Sequence, residues 1–66
     1  MNELEELGYR LMFGDTTVPP LSANYYAAAL RAAHLHAQYN EVRLDRIRQV
    51  GFARLRKELM NYGQER

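Results

Sequence analysis

With 66 residues and a formal net charge of +1, the chain has room for one domain built on a single, marginal core. It contains no Cys and only two His, which excludes disulfide staples, thiolate metal centres and a structural zinc site assembled from this chain alone. Stability must therefore come from close helix packing or from a second chain.

The first element is a helix over residues 3–13. Asn2 is placed as its N-cap, and Glu5 at the third helical position completes a capping box. Glu3, Glu5 and Glu6 in the first turn suit the helix dipole. Leu4, Leu7 and Leu11 repeat at helical spacing, and Gly14 supplies a stop. Gly8 inside the helix costs up to ~1 kcal/mol relative to Ala. So short a helix is not stable alone and must dock on a neighbour.

Residues 14–21 (GDTTVPPL) form a connector, since Pro19-Pro20 imposes an extended path that neither helix can invade. Ser22 then caps a long helix over residues 22–62, which has no Pro inside it and Gly51 as its single Gly. The fold class expected is all-α: one 1–66 domain, whose long helix joins a helical bundle formed by homodimerisation.

Two apolar stripes run along that helix. The first steps alternately by four and three through Tyr26, Leu30, Ala33, Ala37, Asn40, Leu44, Ile47 and Gly51, and drifts on through Leu55. This is a coiled-coil seam. The second holds Tyr25, Ala28, Ala32, Leu35, Tyr39 and Val42. A straight helix of this length spans roughly 60 Å, too long for the first helix to cover. The seam Tyr26, Leu30, Ala33, Ala37, Asn40, Leu44, Ile47 and Leu55 is therefore assigned to pairing with a second copy. Antiparallel pairing sets the small half against the large half, with Asn40 near the crossing as a register-fixing polar residue. The first helices of the two copies then cover the second stripes, giving four helices. A break near Asn40, with Asn40 as a new N-cap, would instead give a compact three-helix monomer.

Little in the chain suggests catalysis. There is no Cys nucleophile, no Gly-rich phosphate loop and no Ser placed with a His and a carboxylate, so the expectation is a non-enzymatic protein without cofactors. His34 and His36 are two residues apart and point to opposite sides of a helix, so they cannot share a metal.

The charge is more informative. Residues 1–21 carry Glu3, Glu5, Glu6 and Asp15 against Arg10, a net −3, whereas residues 40–66 carry seven bases against four acids, a net +3. Arg43, Arg46, Arg54 and Lys57 fall on one helical line with Tyr39 at its head, and the preference for Arg suits bidentate contacts to carboxylate or phosphate. These five residues are the expected partner contacts. The partner favoured is an acidic protein surface, with the chain acting as adaptor, regulator or inhibitor. A nucleic-acid backbone is the alternative, disfavoured by the near-zero net charge. The competing reading is neutralisation by Glu3, Glu5 and Glu6. The acidic amino terminus and the lack of a long apolar run point to a cytoplasmic protein with no signal peptide or membrane span.

Overall fold

The computed structural model describes residues 1–64, with the backbone alone for residues 52, 63 and 64. The chain is all-helical: α1 (Glu3–Met12), α2 (Ala23–Asn40) and α3 (Leu44–Gln64), the last interrupted at Gly51 so that it comprises two helical segments.

Both ends of α1 are set by local chemistry. The Asn2 side chain accepts a hydrogen bond from the Glu5 amide, and the Glu5 carboxylate accepts one from the Asn2 amide, each 2.8 Å long, which is the capping box the sequence predicts. At the other end Gly14 takes φ +77°. Its amide donates to Leu11 O at 3.2 Å, and the Asp15 amide donates to Arg10 O at 2.9 Å. That pair of bonds is a Schellman stop, requiring a left-handed residue that Gly supplies without steric penalty. Ser22 caps α2 by accepting from the Tyr25 amide at 3.2 Å.

Gly8 does more than tolerate the helix. A Cβ built there would lie 1.9 Å from Ala29 O and 2.7 Å from Ala33 Cβ, so the backbones of α1 and α2 are in contact where they cross. The face of α2 under α1 is correspondingly small: Ala29 and Ala33 are fully buried. Beside this crossing the larger core residues gather, with Tyr9, Ala33, Ala37, Ile47, Leu55 and Leu59 in one cluster and Met12, Phe13, Val42, Leu44 and Tyr62 packed on its rim.

The continuous helix over 22–62 does not form. The longest dimension of the molecule is 33 Å, about half of what an unbroken rod would need. α2 stops after Asn40, where Glu41 adopts φ +52°, ψ +40°. The Val42 amide donates to Ala37 O at 3.0 Å and the Glu41 amide to Gln38 O at 3.4 Å, a second Schellman stop, made here without Gly. A non-Gly residue in this conformation costs roughly 1–2 kcal/mol. Turning the chain back buries Ile47, Leu55 and Leu59, each worth about 1.5–3 kcal/mol, and the burial wins. Asn40 is not the new N-cap. It is the last residue of α2, and its side-chain amide donates to His36 O at 2.9 Å.

The second break is at Gly51, with φ +75° and ψ 171°. Only Gly visits this region readily. Gly51 thus lies at a bend and not on a seam, and the line of residues that seemed to run through it is divided between differently directed segments.

Candidate interaction surface

α2 carries two faces of different fate. Ala29, Ala33, His36 and Ala37 face the core and are buried. Tyr25, Ala28, Ala32, Leu35 and Tyr39 recur at steps of three and four on the other side. Here Ala28 and Ala32 are half-buried, while Tyr25, Leu35 and Tyr39 are 48%, 49% and 74% exposed. This apolar row spans about 21 Å at 1.5 Å per residue. Large apolar side chains grouped on one face, in a chain otherwise rich in surface charge, mark a contact surface more often than a solvated one.

The inner face is fixed by a buried polar pair. A hydrogen bond of 2.9 Å joins Tyr9 Oη and His36 Nδ1, and the two rings meet edge to face at 5.6 Å. Phe13 stacks on the other side of Tyr9 with centroids 6.5 Å apart. Burial, with Glu5 adding to it, pushes the Tyr9 hydroxyl above its ordinary range. Tyr9 therefore stays neutral and serves as a bridge between α1 and α2. His34 is exposed on the other side. Among the described residues no three His, Asp or Glu side chains gather as a metal site would require.

The predicted seam residues are distributed very differently from a single stripe. Ala33, Ala37, Ile47 and Leu55 are buried within this one chain, covered by α1 and by the fold-back of α3. Leu30, Asn40 and Leu44 are half-buried, and Leu44 packs on the core. Only Tyr26 is open, at 45% exposure.

Arg43, Arg46, Arg54 and Lys57 are all exposed, but the bends at Glu41 and Gly51 leave them in two pairs and not on one line. Arg43 lies 3.7 Å from Asp45, both well solvated, an arrangement of little energetic weight. Arg54 and Lys57 border a shallow depression of about 180 Å³ together with Glu58 and Asn61. The acid–base contact across elements uses other residues: Glu6 lies 3.6 Å from Arg56, and the Arg48 guanidinium sits 6.0 Å above the Phe13 ring.

The largest open groove, of about 420 Å³, lies between α1 and the second segment of α3 and is lined by Glu6, Arg10, Asp15, Ala53, Leu55 and Arg56. Its charged groups are engaged. The Arg10 Nε–H donates to Asp15 Oδ2 at 2.7 Å and an Nη2–H donates to Thr17 Oγ1 at 2.9 Å. Asp15 also accepts from the Thr17 hydroxyl at 2.6 Å and from the Thr17 amide at 2.9 Å. These bonds, the Thr17 hydroxyl first and then Arg10, hold the Asp15 carboxyl down at about 2. The cluster locks the connector onto α1 and carries no nucleophile.

No described helix is long and apolar enough to cross a membrane. Compared with known proteins, the chain matches no family model, no curated protein and no solved structure.

Proposed function

We propose that this is a non-enzymatic protein that works by protein–protein contact, as an adaptor, regulator or inhibitor, through the outer face of α2. The observation that carries this reading is the row Tyr25, Leu35 and Tyr39, exposed together on one helix face. Tyr contributes contact area at low entropic cost and is enriched where interfaces hold their energy. The row lies on α2, which is anchored by Gly8 and the Tyr9–His36 bond, so little rigidity is lost on binding.

The test uses the full chain immobilised beside its Leu35→Glu and Tyr39→Glu variants, each first matched to the parent by circular dichroism. Protein captured by the parent and lost by both variants supports the reading. Capture that is indifferent to both, or no capture at all, refutes it. A second reading rests on the exposure of Arg43, Arg46, Arg54 and Lys57: phosphate contact with a nucleic acid. It predicts salt-sensitive retention on DNA or RNA that disappears in the Arg43→Glu, Arg46→Glu double variant.

A further inference from the structure

We infer that the outer face of α2 takes a second copy of this chain, antiparallel, with Ala28 of each copy against Tyr39 of the other and Ala32 against Leu35. This rests on the proposal that the α2 face is the working surface, and it names the occupant.

Residues 25, 28, 32, 35 and 39 follow the three–four alternation of a coiled-coil seam. In an antiparallel pair the two kinds of seam position alternate across each layer. The register that aligns residue 28 with residue 39 also aligns 32 with 35. Each layer then sets one small side chain against one large one, which fills the space between the helices. Parallel pairing would put Ala28 on Ala28 and Ala32 on Ala32, leaving voids, and would stack Leu35 and Tyr39 on themselves.

The flanking charges agree with the antiparallel register. Arg31 is the single ionised side chain beside the row on its solvent side, with Asn24 and Gln38 the other flanking residues. The antiparallel register brings Arg31 opposite the neutral Gln38 of the other copy and keeps the two Arg31 side chains apart. The other flank is occupied by Ala29 and His36, already buried under the chain's own core, so the second helix meets no charged obstacle there.

The contact is small. A stable interface of standard size takes about 800 Å² from each partner, and a row of about 21 Å on one helix supplies less. The dimer is accordingly a reversible one, with Kd on the order of tens of micromolar. It differs from a pairing through Ala33, Ala37, Ile47 and Leu55, which are spent on the chain's own core.

Sedimentation equilibrium of the full chain between about 1 and 500 µM tests the association, and oxidative cross-linking tests the register. The chain has no Cys, so introduced thiols report alone. Ala28→Cys and Tyr39→Cys are expected to cross-link when mixed and not when oxidised separately, since like positions lie about 16 Å apart along the axis in this register. Leu35→Glu is expected to weaken the dimer by about a hundredfold, because each interface contains that residue twice. Cross-linking of either variant with itself would establish a parallel pair and overturn the inference, as would a dimer indifferent to Leu35→Glu. A parent that stays monomeric throughout also overturns it. If that monomer still captures another protein in a Leu35-dependent way, the α2 surface stands and only its occupant was misassigned. If it captures nothing, both fail.

Discussion

Replacing Gly8 with Ala sets two effects of opposite sign against each other. By helix propensity alone the change stabilises α1 by about 1 kcal/mol. By packing it destabilises, because the new methyl would sit 1.9 Å from Ala29 O and 2.7 Å from Ala33 Cβ. The obstacle is a backbone carbonyl, which cannot rotate away, so α1 must retreat from α2. A separation of ~0.5–1 Å already forfeits a quarter to a half of the dispersion energy at such a contact, and overpacking a core typically costs ~1–3 kcal/mol. Taking the upper end for a backbone-to-backbone crossing, the net loss is about 2 kcal/mol. Unfolding entropy of ~2.1 cal/mol/K per residue over 66 residues makes this a fall in Tm of about 14 °C. Thermal and urea unfolding followed by circular dichroism measure it. Gly14→Ala is the control, since nothing lies within 4 Å of its Cβ and only the φ of +77° is violated; it should lose about 1 kcal/mol without disturbing the α1–α2 crossing. A Gly8→Ala protein as stable as the parent, or more so, would refute the close crossing.

Tyr9→Phe keeps the ring and removes the 2.9 Å bond to His36 Nδ1; it should cost about 1–3 kcal/mol in the same unfolding assay, with helix content retained. Glu41→Gly should stabilise by about 1 kcal/mol, since Glu41 holds φ +52° where Gly carries no steric penalty. The pH dependence of stability should reveal Asp15. Its carboxyl is held at about 2 in the folded chain, below the ordinary value of ~3.9 in an unfolded one. The stabilisation is therefore complete above the unfolded value and drains away as pH falls from about 4 towards 2; Asp15→Asn should flatten the urea midpoint over that window.

What the sequence conveyed well was whatever is settled within a few residues. The Asn2–Glu5 box, the Gly14 stop and the Ser22 cap each depend on a side chain and its near neighbours, and each stands where the spacing puts it. The turn at Glu41 has no such signature, because it is imposed by what Ile47, Leu55 and Leu59 gain on returning to Tyr9, and its left-handed residue is neither Gly nor Asn. Gly51 did carry a local signal, but it coincided with the three–four stepping of apolar residues and was absorbed into it. Periodicity reports which side of a helix is apolar and says nothing of what covers it. Ala33 and Ala37 looked like a seam awaiting a second chain because Gly8, the residue that lets α1 reach them, reads locally as a helix defect. The outer row from Tyr25 to Tyr39 was legible as a stripe, whereas its exposure depended on knowing where α1 lies.

The crossing of α1 and α2 also shapes how stability responds to temperature. An interface made of Gly8, Ala29 and Ala33 gains its energy from close atomic contact and covers little apolar area for each residue it orders. Unfolding heat capacity follows the apolar area exposed, so it should fall below the ~0.8–1.0 kcal/mol/K that ~12–15 cal/mol/K per residue gives for a chain of 66 residues. A smaller heat capacity flattens the stability curve. The molecule should therefore lose little stability on cooling and melt over a wide interval on heating.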